Sequence, residues 1–258
     1  MRRANMKAFS FELKGDMGFF KKNDTNATVY ATYNFIHKLN LFGIFGAILG
    51  LEGYKRDKSG NFMEYYEKFK NFKVAITPLY NKPPKKTLVI FNNSTGHASR
   101  EAGGVLQIKE QVIVESIGYR IFIPCLETFT DEEKNVYEKL EKMVKKNYSE
   151  YPIYFGKNEF LAYFENYCSI ELERLEFEES TVNSLVRLKD IEFFKENLDD
   201  IELFEEETDY ISILEELPYD FNENHLYLKD VFVFTNKKLR LKRKENFWRT
   251  NNEVIYVF

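Results

Sequence analysis

Cysteine, histidine, tryptophan and proline are all scarce in this 258-residue chain, at 2, 3, 1 and 6 residues. Two thiols, Cys125 and Cys168, are too few for a disulfide framework or a four-thiolate zinc site, and they read as buried thiols in a reducing cytoplasm. The histidines, His37, His97 and His225, form no pair at metal-ligand spacing, and no HExxH, P-loop, GxSxG or dinucleotide fingerprint occurs. No cofactor is called for. Long apolar runs are missing too: the best, Leu41 to Leu51, carries three glycines and falls short of the roughly 18–20 residues of a membrane span. No hydrophobic run follows the charged start Met1-Arg2-Arg3, so a signal peptide is not expected and the chain reads as cytoplasmic.

What is present is a core. Hydrophobic residues make up 44% and aromatic residues 17%, with 25 Phe and 17 Tyr, which excludes general disorder. Charge is unevenly placed. The formal net charge is −4, but residues 1–125 hold 19 Lys+Arg against 10 Asp+Glu, and the remainder holds 18 against 31. The segment Tyr163 to Glu223 alone has 20 acidic and 4 basic residues. A basic working surface in the first half and an acidic face elsewhere follow from this split. The acidic runs Glu205-Glu206-Glu207 and Glu215-Glu216 lack the glycine turns of a metal loop and read as solvated.

Ala8 to Leu13 alternates as a half-buried strand, closed by a turn at Gly15-Asp16-Met17-Gly18 and followed by Phe19-Phe20-Lys21-Lys22-Asn23. Tyr33 to Leu51 reads as a helix, and Phe72 to Tyr80 and Thr87 to Phe91 as strands. Val105 to Glu115 and Tyr119 to Pro124 read as two strands about a turn at Gly118. Thr130-Asp131-Glu132-Glu133 has capping-box form and opens a helix to about Asn147. Tyr151 to Gly156 suggests a short edge strand, Glu159 to Asn166 a short helix, and Phe232–Thr235, Leu239–Lys242 and Glu253–Phe258 strands. The order is the split β-α-β of an α+β, ferredoxin-like domain over residues 1–157, with a loop inserted between its middle strands. An acidic, strand-rich region follows over 158–258.

Three features bear on function. Gly43, Gly46 and Gly50 share one helical face with Ala47, and each glycine costs a helix about 1 kcal/mol relative to alanine. Close packing of the helix on its sheet would justify them, and so would close approach of a sugar-phosphate backbone. Gly15, Asp16, Gly18, Phe19, Phe20, Lys21, Lys22 and Asn23 bring backbone N–H groups, two cations and two rings together, which suits phosphate cradling and base stacking. The polar stretch Asn92 to Gly104 springs from a strand pair as a finger would, and carries His97 and Arg100. Metal-independent RNA cleavage is the one chemistry the composition supports, with His97 as base, Arg100 or Lys109 over the phosphate, and Tyr30, Tyr33 or Tyr119 assisting. His37 reads rather as a packed or capping residue.

Four segments together resemble the Cas-five family of the RAMP superfamily, in the form found in type I-B CRISPR systems. They are the first strand with its Gly15–Lys22 turn, Thr32-Tyr33-Asn34-Phe35 running into Leu41–Gly50, Lys109-Glu110-Gln111-Val112 leading to Tyr119-Arg120-Ile121-Phe122, and Tyr151–Ala162. The resemblance covers about the first two thirds of the chain. It implies a non-catalytic subunit of the Cascade surveillance complex that caps the 5′ handle of the CRISPR RNA in antiviral defence. The implied partners are the CRISPR RNA, the backbone subunit, the large subunit and target DNA. It also implies an inserted β-hairpin thumb over about 91–108, and handle contacts at Gly15–Asn23, the start of the Gly43 helix, Lys109 and Arg120. Prolines that often precede the glycine-rich helix are replaced here by Phe35-Ile36-His37-Lys38. A branch of the family that cleaves repeat RNA uses a Tyr, Lys and His site; this chain has Lys109-Glu110-Gln111 where the Lys-His pair is expected. Two alternatives remain, an endoribonuclease that processes repeat RNA and a pure protein-interaction module working through the acidic region.

Overall fold

The computed structural model describes residues 5–23, 28–53, 62–93, 106–194 and 211–258. The first strand, β1 (Met6–Gly18), runs straight through the turn expected at Gly15–Gly18. It continues because it is central, flanked on both sides by longer-range partners that satisfy its backbone groups. The chain then reaches α1 (Lys38–Leu49), whose start lies five residues later than expected. Residues 33–37 are non-helical instead, with a bend at Asn34-Phe35 and all but Asn34 buried, and the His37 Nδ1 accepts the Asn40 N–H at 3.3 Å as the helix N-cap. Gly50 ends the helix at φ 74°, a left-handed conformation suited to glycine.

Next come α2 (Glu64–Phe69), β2 (Ala75–Pro78), β3 (Lys86–Asn93) and β4 (Leu106–Pro124). The strand β4 is one 19-residue element and not two. The irregularity lies at Glu115-Ser116, where the register against β1 slips between Gly15↔Ile117 and Met17↔Val114 and Glu115 takes φ 115°. That is a bulge, which bends a strand without ending it. Gly118 stays in the ladder. Its missing Cβ makes room for Leu79 and Lys14, whose side chains would lie 3.2 and 3.3 Å from such an atom.

The helix α3 (Asp131–Lys145) carries the expected capping box: Glu133 N–H donates to Thr130 Oγ1 at 3.2 Å, and Thr130 N–H to Glu133 Oε2 at 2.7 Å. Tyr151 to Gly156 forms no strand, only a bridge between Tyr154 and Leu161. The helix expected over Glu159–Asn166 is absent; that stretch leads into β5 (Ala162–Arg174), which pairs antiparallel with β1. Alternation in Tyr163-Phe164 and the Ile170–Leu172 end, together with the free edge of β1, outweighs local helix propensity. The remaining strands are β6 (Glu179–Thr181), β7 (Val186–Arg187), β8 (Ile191–Phe193), β9 (Ser212–Phe221), β10 (Tyr227–Thr235), β11 (Lys238–Leu241), β12 (Phe247–Arg249) and β13 (Val254–Tyr256).

The central antiparallel sheet has the order β13-β12-β5-β1-β4-β2, with β3 paired only to β4. Two three-stranded sheets, β7-β10-β9 and β6-β11-β8, complete a mixed, strand-rich α/β architecture. The boundary read after residue 157 precedes β5, and both β5 and β12–β13 extend the sheet that contains β1. One face of that sheet is covered by α1 and α3: the Phe11 and Phe45 rings lie 6.4 Å apart, and Phe9 meets Tyr137 edge-on at 5.2 Å. Leu41, Phe42, Phe45 and Ile48 are at most 1% exposed, so α1 is buried nearly all round. No described helix is long and apolar enough to cross a membrane.

Candidate nucleic-acid interface

Beyond the sheet, β3 and β4 continue as a two-stranded ribbon from Lys86↔Ile113 to Asn93↔Leu106. The hairpin expected over about 91–108 overlaps this ribbon at residues 91–93 and 106–108; His97 and Arg100 lie outside the described residues. Midway along the ribbon Tyr30 bridges the other edge of β4 at Glu110, its N–H donating to Lys109 O at 2.9 Å and its carbonyl accepting from Gln111 N–H at 2.8 Å. Lys21 is exposed and places its ammonium 4.0 Å from the centre of the Tyr30 ring. Lys21 and Tyr30 thus meet beside the ribbon, while Lys109, next to the bridged Glu110, lends Tyr30 only its backbone carbonyl and alternates to the opposite face, where it is paired with Ile90.

The cradle expected over Gly15–Asn23 is not open. Gly15 is paired on both sides in the sheet. The N–H groups of Phe19, Phe20 and Lys22 donate to Phe155 O (3.0 Å), Thr32 Oγ1 (2.9 Å) and Ala31 O (2.9 Å), so they are not free to hold phosphate. The Phe19 and Phe20 rings are 4% and 1% exposed and belong to the core; they offer no face for base stacking. Gly15 and Gly18 serve packing, since a Cβ on either would approach Phe155 or Ile117 to 2.8 Å. Asp16 lies within 3.5 Å of the Ser116 hydroxyl, and Asn23 reaches the Tyr227 side chain.

The four cations singled out in the sequence separate into two kinds. Lys22 pairs with Glu215 at 2.9 Å, and Arg120 donates to Glu12 at 2.8 Å and also to Glu253. These two are committed within the protein. Among the described residues no carboxylate pairs with Lys21 or Lys109, which leaves both charges for an external anion. Sequence reasoning missed Lys157, which crosses from the Tyr151–Ala162 segment to Glu110 at 2.8 Å, with its ammonium 5.0 Å from the Phe91 ring centre. Only the fold brings it to the ribbon.

The glycine face of α1 is divided in its use. Gly46 packs against Tyr65 of α2, where an added Cβ would come within 2.6 Å of the Tyr65 Cβ. The sheet is not its partner. Gly43 has nothing within 4 Å of the corresponding position and forms the floor of a groove of about 450 Å³. Tyr65, Tyr151 and Tyr154 wall this groove, and Phe20 and Gly156 close the end toward β1. Burial pushes the Tyr65 hydroxyl up to about 12, with Tyr227 and Tyr154 adding to the effect. Tyr151 and Tyr154 are 53% and 43% exposed, and their pattern as an edge strand concealed them as candidate stacking residues.

Of the groups assembled for cleavage chemistry, His97 and Arg100 lie outside the described residues, Tyr30 and Lys109 are half-buried, and three are internal. His37 is 3% exposed and already capping α1, and burial holds its imidazole down at about 3. Tyr33 and Tyr119 are 2% and 0% exposed, and the Tyr119 hydroxyl accepts from Ile36 N–H at 3.2 Å. His225 stacks on Phe62 at 3.9 Å. No group of three or more His, Cys, Asp or Glu among the described residues could hold a metal ion.

No family model matches the chain, and no curated protein matches it. Among solved structures, it is similar to a chain of a CRISPR RNA-guided surveillance complex, with TM-score 0.48, 11% identity and coverage of 89% of this chain and 90% of that one. A CRISPR protein from Archaeoglobus fulgidus gives TM-score 0.49 at 9% identity, covering 97% and 98%. A chain of the type III-B Cmr-beta assembly bound to cognate target RNA and AMPPnP gives TM-score 0.43 at 10% identity, covering 92% and 86%. These neighbours are CRISPR-associated proteins. At such identities and TM-scores, function has to be argued from the residues themselves.

Proposed function

We propose that this chain is a non-catalytic RNA-binding subunit of a CRISPR Cascade complex, one that holds the 5′ handle of the CRISPR RNA. The observation that carries the reading is the exposed Lys21 ammonium over the Tyr30 ring, docked through Tyr30 on one edge of the ribbon, with Lys109 on the ribbon's other face beside Ile90. A cation with no carboxylate partner among the described residues, set over an aromatic ring, suits a phosphate and an unstacked base, and Lys109 offers a second charge to a backbone that wraps the ribbon. In this reading the strand order β5-β1-β4-β2, with α1 and α3 as crossovers, is a ferredoxin-like β-α-β-β-α-β unit. The ribbon β3–β4 is its thumb, and the aliphatic side chains Leu88 and Ile90, 49% and 52% exposed on one of its faces, lie against RNA or a neighbouring subunit. The Gly43 groove takes the next nucleotide, with Tyr151 and Tyr154 as its walls.

The non-catalytic part of the reading is supported by the burial of His37, Tyr33 and Tyr119. The backbone and large Cascade subunits and target DNA are the partners it implies, in the cytoplasm. Incubation of the purified protein with labelled CRISPR repeat RNA, without metal, tests it directly. Binding to the processed 5′ handle with no new product is expected; a discrete cut at the base of the repeat would overturn it.

A further inference from the structure

A cationic groove, distinct from the Gly43 groove, lies at the opposite end of the central sheet. It is formed where β1 begins, β4 and β5 end, and β12 crosses, with a volume of about 780 Å³. Lys7, Lys73, Lys134 and Arg174 line it. Among the described residues, Lys7 and Lys73 have no carboxylate partner, and Lys134 has only a loose contact with Asp131 at 3.9 Å. Arg174 lays its guanidinium 5.1 Å from the ring centre of Trp248. That cation–π contact holds the guanidinium against the indole at the groove. Glu127 and Glu245 also border the groove, leaving an excess of two positive charges.

We propose that this groove is a second binding site for the phosphates of a single-stranded nucleic acid, separate from the ribbon. The donor set favours phosphate: four cations, the Asn246 amide and the Thr128 hydroxyl line one trough, while the Asn5 amide at its edge is already held by Glu171 at 3.2 Å. An acidic protein surface would be expected to seek an aromatic or aliphatic anchor pocket as well, and Trp248 is 7% exposed beneath Arg174. Along β1, Met6 and Gly18 are separated by twelve residue steps, roughly 40 Å at about 3.3 Å per step. A short segment held at the ribbon therefore cannot fill this groove, so it serves a different stretch or a different strand.

The chain supplies its own reporter, because Trp248 is its only tryptophan. Its emission is to be titrated with a 12-nucleotide single-stranded RNA, with inorganic phosphate and with polyglutamate, in the wild type, Lys7→Glu/Lys73→Glu and Lys21→Glu/Lys109→Glu proteins. We expect a saturable, salt-sensitive change with the oligonucleotide, weakened at least tenfold by Lys7→Glu/Lys73→Glu and unaltered by Lys21→Glu/Lys109→Glu. Inorganic phosphate should compete only at much higher concentration. No change in emission overturns the proposal, as does a response to polyglutamate equal to that with RNA, or loss of the signal in the Lys21→Glu/Lys109→Glu protein. Should the charge reversals disturb folding by circular dichroism, Lys7→Gln/Lys73→Gln replaces them, and unchanged affinity in that protein overturns the site equally. The ribbon reading stands or fails separately, on the Lys21→Glu/Lys109→Glu protein in a gel-shift assay.

Discussion

The Glu215 carboxylate accepts the backbone N–H of Asn34 at 2.6 Å and also meets the Asn34 side-chain amide at 3.3 Å. These residues are 181 positions apart, one on β9 and the other in the bend that leads into α1. Glu215 is 7% exposed and takes the Lys22 ammonium as well, at 2.9 Å. A residue from the most acidic stretch of the chain thereby fixes the path of the basic half, just before its glycine-bearing helix.

Glu215→Ala should therefore act on stability first. It strands a buried N–H and removes the anion beside Lys22, a loss of about 2–3 kcal/mol. Glu215→Gln keeps an acceptor for the Asn34 N–H and should cost about half as much. Urea unfolding of both variants checks this. Equal stability of all three proteins would mean that Glu215 merely decorates the contact.

That relationship also shows what the sequence could and could not disclose. Thr130 and Glu133 are legible as a capping box because donor and acceptor lie three residues apart. Glu215 looks solvated because its partners are remote. Gly118 looks like a turn because glycine often makes one, yet its neighbours Leu79 and Lys14 come from other strands and use the space a Cβ would fill. Phe19 and Phe20 beside two lysines look like a stacking platform, and only the packing of Phe155 against Phe20, 5.6 Å between ring centres, turns them inward. Of the candidate cations, Lys21 and Lys109 were legible as charges, but their freedom from carboxylates is a property of the fold.

The cation sorting predicts unequal effects of charge reversal. Lys21→Glu and Lys109→Glu should each weaken RNA binding about tenfold or more and each reduce the slope of log K against log salt by about 1. Lys22→Glu and Arg120→Glu should instead lower the melting temperature, because each places a carboxylate against an existing one. Gel-shift titrations at several salt concentrations, paired with thermal melts, separate the two groups. Binding losses that track Lys22 and Arg120 rather than Lys21 and Lys109 would reverse the assignment.

Acid should destabilise the protein in two separable windows. Burial holds His37 at about 3, against 6.5 for a free imidazole. Below pH 6.5 the unfolded chain takes a proton that the folded chain refuses, so stability falls by about 1.4 kcal/mol per pH unit, or ~2 kcal/mol by pH 5. Burial alone would raise Glu12, but hydrogen bonds from Arg120, Lys14 and Asn166 outweigh it and hold the carboxyl at about 2. Its contribution, up to about 3 kcal/mol, is present above pH 4.5 and is lost as pH falls from there toward 2. His37→Asn retains a capping side chain and should flatten the first window; Glu12→Gln should flatten the second. Denaturant midpoints from pH 7 to 3 test both, and identical pH profiles for wild type and His37→Asn would sink the first assignment.

Gly43 offers the sharpest test of the groove, because stability and binding should move in opposite directions. In a helix interior alanine is favoured over glycine by up to about 1 kcal/mol, and nothing lies within 4 Å of the position a Gly43 Cβ would take. Gly43→Ala should thus raise the melting temperature by a few degrees. Gly46→Ala, forced to within 2.6 Å of the Tyr65 Cβ, should lower it and serves as the packing control. If a nucleotide lies across the floor between Tyr151 and Tyr154, the added methyl at residue 43 holds it away, and affinity for the 5′ handle should fall several-fold in a protein that is more stable than the wild type. A stabilised Gly43→Ala protein with full affinity would instead place the RNA wholly along the ribbon and leave the groove without a nucleotide.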